Sequence, residues 1–491
     1  MASVQEALRL LGELADELQK RQPDIRLFDA YYRGEHNLAY ASDQFRGFFA
    51  NRYKDFSDNW CGVVADAPTE RLELIGIRPK GGGKKAGDKL WATWLENDAD
   101  ALSDLAFIDA IIAKRAYALV WGDPDTDDAT ITWEHPSQAI VGYHPETRRR
   151  RAGLKLWADE KLEYATLYLR DEVWKWQRSR TQIEKGRTQS GLYIVGSLGG
   201  WEKRKNLPEG EPWPLPNPLG EVPLVELPNR PRLIGEPLSD IAGTVAMQNA
   251  TNLFWSYLLN AGDFTSFPQR VIMGQERPEV PVLDKDGQET GTTKPLDLAK
   301  FSVERVVWLE DPEAKISEWS ATNLEQYTKV IEVQVGHIAA QTRTPQHYLI
   351  GKMSNLSADA LKAAETGLVK RTEEKTEHFG RAIREVFRLV ALVQGDEKRA
   401  RAVAAGEVLW RDVESRSDAQ RADALLKKKT IGYPFEWLAE QDGNSPTEVA
   451  RIMEMRRAEL NDETLNGLLK DPAGDDVDRE PEPSPDASVR A

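Results

Sequence analysis

The residues best suited to chemistry in this sequence begin with "DPDTDDATITWE", residues 123–134. Asp123, Asp125 and Asp127 hold the first, third and fifth positions and Glu134 the twelfth, the spacing of a calcium loop. Side-chain oxygens at those intervals can wrap a hard cation. The sixth position, which needs glycine for its sharp turn, is Asp128, and no helical pattern follows. An acidic hairpin turn is the expected structure, with the four carboxylates kept as a metal candidate of low specificity. The six histidines (His36, His135, His144, His337, His347, His378) form no His-x-x-x-His pair and no His/Cys cluster, so a zinc site is not expected. "GGGKKAGDK" at 81–89 has the glycines of a phosphate loop. Gly87 is followed by Asp88, however, where Lys and then Ser or Thr are required. A flexible loop is expected there.

Nucleophiles are no better placed. There is no Gly-x-Ser-x-Gly elbow and no dinucleotide fingerprint. The lone cysteine, Cys61, stands between Trp60 and Gly62 and reads as a small packed side chain. One cysteine excludes an internal disulfide and fits a reducing compartment. Among eighty carboxylates no pair stands out. Catalytic pairs can be distant in sequence, so an enzyme is disfavoured and not excluded. No cofactor is expected.

The 491 residues are enough for two to four folding units, and 40% apolar with 30% charged residues is ordinary globular composition. No run approaches the eighteen or so apolar residues of a membrane span, and a soluble protein with no membrane partner is expected. The N-terminal "MASVQEALRLLGELADELQKRQ" carries four acidic residues and reads as an amphipathic helix, not a signal peptide. The formal charge is −15. A protein that grips a duplex presents a basic surface to phosphate, which this chain as a whole does not.

The elements that must position any site follow from periodicity. Val4, Leu8, Leu11, Leu14 and Leu18 line a first helix that Pro23 should end, and "DIRLFDAYYRGEHN" should form a second, closed by Gly34. A third stops near Pro68, and "RLELIGIRP" alternates as a strand. Helices are expected at 88–97 and 101–116. "AYALVW", "ATITWEH", "AIVGYH", "GLKLWAD", "YATLYLRD" and "EVWKWQRS" then alternate as strands. Residues 208–237 contain nine prolines and predict an extended connector. Residues 238–261 predict a helix with Asp240 as its sole charge, a composition of buried or closely packed helices. A β-and-loop insertion follows, and residues 321–341 return as a helix. A short loop at 342–356 then opens a proline-free helix from 357, which at about 1.5 Å per residue reaches roughly 55 Å. Gly367 and Gly380 are its candidate bends. The remainder to 470 is helical, and the acidic, proline-rich 471–491 is expected to be disordered.

This order resembles the portal proteins of tailed bacteriophages, especially long-tailed phages of Gram-positive and actinobacterial hosts. "YYRGEHNL" with "NWCGVVADAPTERLELIGI", and "AAQTRTPQHYLIGKMSNLSADALKAAETGL", are similar to that family's characteristic strings, and the resemblance covers about residues 25–440. It implies an α+β portal fold. Residues 1–237 would be the N-terminal wing, 238–261 and 321–341 the stem, and 262–320 the clip. Residues 342–356 would be the tunnel loop, 357–397 the long wing helix and 398–470 the crown. It also implies a homo-oligomeric ring, commonly of twelve subunits, at one capsid vertex of the virion, assembled in the host cytoplasm. Double-stranded DNA would pass through it without sequence-specific binding. The large terminase, a head-completion or adaptor protein, and the major capsid and scaffold proteins would be its partners.

On that resemblance Arg343, His347 and Lys352 are the candidate cationic contacts to DNA, with Gln346, Tyr348, Met353 and Asn355 as neutral ones. The plainer alternative is that Tyr348, Leu349 and Ile350 anchor the loop while its polar residues face water. Lys329 is a candidate basic ring in the stem, or else the partner of Glu325 or Glu332. Trp157, Trp174, Trp176 and Trp201 are either contacts between subunits or ordinary core. Two other readings stay open: a capsid-associated adaptor or scaffold protein without a DNA channel, and a cytosolic hydrolase.

Overall fold

A computed structural model of the chain describes residues 2–36, 42, 58–81, 84–122, 128–180, 199–208, 210–266, 270–273, 279–283, 288–295, 306–309, 313, 323–351, 358–414 and 418–470. The tail 471–491 and the loop residues 352–357 lie outside them. Helix and sheet are mixed, as an α+β class requires, and the chain divides into two compact units, Met1–Val413 and Glu414–Ala491.

In the first unit α1 spans Val4–Tyr32, capped by Ser3, whose hydroxyl accepts from the Glu6 amide. The break expected at Pro23 does not occur: one helix runs through the proline. An internal proline forfeits one backbone bond and crowds the preceding turn, at about 3 kcal/mol. Leu18, Gln22, Ile25 and Phe28 continue the buried stripe across it, so packing on both sides outweighs the local defect. Next come α2 (Trp60–Thr69), β1 (Leu74–Arg78), α3 (Lys84–Glu96) and α4 (Ala99–Ala113). The second half of the expected 81–89 loop is therefore helical. A Cβ on Gly87 would lie 2.7 Å from the Ile77 carbonyl oxygen, so this glycine serves close packing of α3 on β1. Cys61 is fully buried as expected, and burial pushes its thiol up to about 12.

The strands β2 (Arg115–Gly122), β3 (Ala129–Glu134), β4 (Ala139–Tyr143), β5 (Arg150–Ala158), β6 (Leu162–Tyr168) and β7 (Glu172–Ser179) fall where the sequence placed them, although β2 is buried on both faces over Arg115–Val120 and does not alternate. β4 to β7, with β8 (Glu202–Lys203) and β9 (Leu215–Pro216), which both pair with β7, form a six-stranded antiparallel sheet. One face of this sheet buries Leu154, Leu156, Ala165, Leu167, Trp174 and Trp176 beneath Leu10, Leu11, Leu14 and Leu18 of α1. Trp174 and Trp176 are thus core, whereas Trp157 and Trp201 are only partly buried.

The proline-rich connector contains a strand the composition did not reveal. β10 (Leu224–Pro228) pairs with β2 at the edge of the sheet β10-β2-β3 and buries Leu224, Val225 and Leu227. Proline is tolerated there because an edge strand leaves one row of donors unpaired.

The helix expected from 238 begins seven residues later, as α5 (Val245–Ser266). Its low charge has a cause inside the subunit. Gln248 and Asn252 are buried and accept from the backbone amides of Trp60 and Asp58 at 2.9 and 3.2 Å. Tyr31 donates to Asn249 at 2.7 Å. The insertion holds a parallel pair of β11 (Arg270–Met273) with β14 (Val306–Leu309) and an antiparallel pair of β12 (Glu279–Leu283) with β13 (Glu289–Pro295). α6 (Leu324–Thr342) returns and packs on α5, and α7 (Gln346–Ile350) follows.

The long helix α8 spans Ala358–Val393 and has α9 (Glu397–Ala404) against it. β15 (Glu407–Trp410) pairs with β1. Residues 398–413, grouped by sequence with the C-terminal helices, therefore belong to the first unit. The C-terminal half of α8 is core: Phe379 stacks on Phe107 at 5.3 Å and Phe387 meets Trp94 at 5.0 Å. The second unit holds α10 (Asp418–Thr430), α11 (Phe435–Gln441) and α12 (Pro446–Lys470).

Candidate functional site

The short segment between α6 and α8 is where exposed polar residues meet a rigid mount. α6 ends at Arg343, which takes the left-handed conformation (φ 54°) and donates its amide to the Ala339 carbonyl. Only glycine, asparagine and aspartate enter that region readily, so an arginine there marks a turn fixed by its surroundings. α7 then forms one turn, closed by Gly351 at φ 65°.

The mount is a buried ionic node. Asp240, just ahead of α5, lies between Arg371 and Lys375, which are one turn apart on α8. Arg371 makes four hydrogen bonds and an ion pair through its guanidinium. Nε and Nη2 reach Asp240 Oδ2 at 2.9 and 2.7 Å. Nη2 also reaches the Val64 carbonyl at 2.6 Å, while Nη1 reaches the Thr342 carbonyl at 2.6 Å and Thr344 Oγ1 at 3.2 Å. Lys375 Nζ bonds Asp240 Oδ2 at 2.7 Å and Asn229 Oδ1 at 2.6 Å, and Asn229 Nδ2 returns a bond to Asp240 Oδ1 at 3.0 Å. One guanidinium thus ties α2, the lead-in to α5, the end of α6 and the middle of α8 together. A lysine could not reproduce this, because the planar fork supplies donors in several fixed directions.

Burial alone would push the Asp240 carboxyl up, but the adjoining Arg371 and Lys375 charges hold it well below the usual carboxylate range. Burial lowers Lys375 to about 8, with Asp240 opposing that shift. Two cations face one anion, so losing the anion is costly.

A second set of contacts fixes α7. Arg71 Nη2 donates to the Tyr348 hydroxyl at 2.8 Å and lies 3.3 Å from Glu365 Oε2. His347 Nε2 is 3.8 Å from Glu365 Oε1, and its ring meets Tyr348 edge-on at 4.8 Å. Leu349 is buried in the main core, with Ile350 packed against it. Gly367 lets α8 approach this segment: a Cβ there would sit 3.3 Å from Arg343 Cβ and 3.5 Å from its carbonyl oxygen. The glycine read as a bend is in use as a point of close contact.

Of the residues singled out from sequence, Arg343 and Gln346 are exposed and His347 and Tyr348 are half-buried against Glu365 and Arg71. Lys352, Met353 and Asn355 lie outside the described residues. Lys329 pairs with Glu325 at 2.8 Å, the alternative weighed for it. Asp123, Asp125 and Asp127 also lie outside the described residues. Glu134 is buried, pairs with Lys155 and accepts from Thr132 at 2.9 Å, so its carboxylate is already engaged. No group of three or more His, Cys, Asp or Glu able to hold a metal occurs among the described residues. No helix among them is long and apolar enough to cross a membrane.

Sequence reasoning noted Asp240 only as the sole charge of its expected helix and did not single out Arg371, Lys375 or Asn229. The signal was present: Leu368, Arg371, Thr372, Lys375, Phe379 and Ile383 form one buried stripe at helical spacing.

The family described as "Phage portal protein, SPP1 Gp6-like" matches residues 11–459. A protein named portal protein from Mycobacterium phage D29 is 29% identical over 446 residues, covering 85% of this chain and 81% of its own length. A portal protein from Mycobacterium phage L5 is 28% identical over 457 residues, covering 87% and 83%.

Proposed function

The chain belongs to the SPP1 Gp6-like family of phage portal proteins, and from that premise we propose how its parts serve the portal role. A portal is a ring at a single capsid vertex. It is the channel for packaging and ejecting double-stranded DNA, and the platform for terminase and head–tail connector proteins. The family is structural, and the adaptor and hydrolase readings give way to it. The match across residues 11–459 carries this conclusion.

In our reading α5 and α6 are the stem and the insertion between them is the clip that meets the terminase and later the head-completion protein. The β-rich part with α8 is the wing, and α10 to α12 are the crown. Residues 342–356 are the tunnel loop. Arg343 and Gln346 face the bore, joined by Lys352, Met353 and Asn355, while Tyr348, His347 and Leu349 hold the loop to its mount. The exposure of the first pair and the engagement of the second support that division. Twelve copies, at the portal vertex of the virion, assembled in the host cytoplasm beside major capsid and scaffold proteins, complete the proposal. No metal or cofactor is required by it.

An acidic chain suits this task. A basic bore would condense on phosphate and stall translocation, whereas two cationic and three neutral side chains per copy, on an otherwise acidic chain, give contacts without a sticky surface. Negative-stain images of the purified full chain test the reading. Annular particles with a central hole are expected, and solitary globules at all concentrations and salts would overturn it.

A further inference from the structure

The segment joining β10 to α5 carries a bare apolar tip on a rigid base. Asn229, fully buried, donates its amide to the Lys114 carbonyl at 2.8 Å and exchanges bonds with Leu238 at 3.2 and 2.8 Å. Both ends of the segment are therefore pinned to each other and to α4. Glu236 adds a further tie, facing Arg21 at 3.1 Å, Arg115 at 3.3 Å and Lys114 at 3.5 Å. Between these feet, residues 230–235 are exposed. Leu233 and Ile234 are 94% and 86% exposed, the two barest large hydrophobics among the described residues. Exposed Arg230 and Arg232 flank them.

The backbone of this tip is held in an unusual shape. Arg230 adopts φ 47° immediately before Pro231, where extended backbone is the usual preference. Gly235 at φ 93° completes the turn. A conformation this specific, with nothing of its own subunit packed on the tip, is built to present it.

We propose that this knob is a contact between neighbouring copies of the chain, which rests on the ring reading above. Leu233 and Ile234 enter an apolar recess on the next copy, and Arg230 and Arg232 pair with carboxylates at its rim. The charge balance favours this occupant. Each copy carries −15 and repels the next, so a contact that holds them must bring its own cations. From Asn229 to Gly235 there are two arginines and no acid. Arginine beside apolar side chains is also the composition of interface hot spots. DNA suits the tip less well, since phosphates would engage the arginines and leave Leu233 and Ile234 without partners. The knob shares Asn229 with the node, through Lys375 Nζ at 2.6 Å, so the contact is linked to the mount of the loop.

The test compares full-length wild type with L233D/I234D by mass photometry across a concentration series, with thermal melts as the control for folding. Wild type should form rings, and the variant should need about tenfold more protein or fail to assemble, with an unchanged subunit melt. R230E/R232E should weaken assembly less and more at low salt. Separately, Leu233→Cys carrying a maleimide photo-cross-linker, with Cys61 buried, should cross-link to a second copy. Variant rings that assemble like wild type, or cross-links found only on DNA or another head protein, overturn the contact. Wild type that never closes overturns the ring reading as well.

Discussion

Arg371 and Asp240 meet at 2.7 Å although 131 residues separate them in the chain, and both are shielded from solvent. Removing one partner of such a pair leaves a charge buried without compensation. Asp240→Ala would strand Arg371 and Lys375 together and is expected to cost about 3 to 5 kcal/mol. Adding Lys375→Met should recover part of that loss, because only one cation then remains. Urea unfolding of the subunit would read both values. Equal stability of the single and double variants would contradict the node.

Arg371→Lys keeps the charge and discards the fork. It should release Thr342 and Thr344 while keeping some attraction to Asp240, for a loss of about 2 kcal/mol. Amide hydrogen exchange at 342–350 should rise more than exchange in α4.

Tyr348→Phe removes the acceptor for Arg71 and should cost about 1 kcal/mol. Gln346→Ala, on the exposed side of the same turn, should stay within about 0.5 kcal/mol. A larger effect at 346 than at 348 would reverse the division between anchor and bore-facing residues.

His135 sets a pH dependence. Its Nδ1 lies 2.8 Å from Ser137 Oγ and 3.2 Å from the Ser137 amide nitrogen, which can only donate, so Nδ1 must accept. Burial lowers this imidazole to about 4. Below the ordinary histidine value the unfolded chain binds a proton that the folded chain refuses, so stability falls as pH drops from about 6.5 toward 4. The expected loss over that window is on the order of 2 to 3 kcal/mol. Denaturant titrations at pH 7.5 and 4.5 would read it, and His135→Gln should flatten the difference.

Gly367→Val should be destabilising by about 1 to 3 kcal/mol, since side-chain atoms would enter the space that Arg343 occupies 3.3 Å away. If the glycine were only a flexible bend, substitution would stiffen α8 and raise the melting temperature.

Much of this architecture was legible because it rests on local patterns. The run from β2 to β7 stands out as apolar and aromatic segments punctuated by turn residues, and the apolar residues of α7 marked themselves as anchors. Pro23 and the proline-rich strand β10 were misread because the costs of proline are local while their compensation is not. Packing across the helix outweighs one lost bond, and an edge strand leaves spare donors. The node was hidden for a related reason. "KRTEEKTEH" has the composition of a solvated face, and its anion lies 131 residues earlier, ahead of a helix. Only the unbroken stripe from Leu368 through Lys375 to Phe379 carried the information.

The account stands on the segment after α6 lining a bore that DNA traverses. Gln346→Cys, labelled with an azidophenacyl group in assembled, DNA-filled heads and irradiated, addresses that claim at a single position. Cross-links from 346 to packaged DNA, absent without irradiation, are the expected result. Label at 346 that never reaches DNA, or reaches only protein of its own subunit, would contradict it.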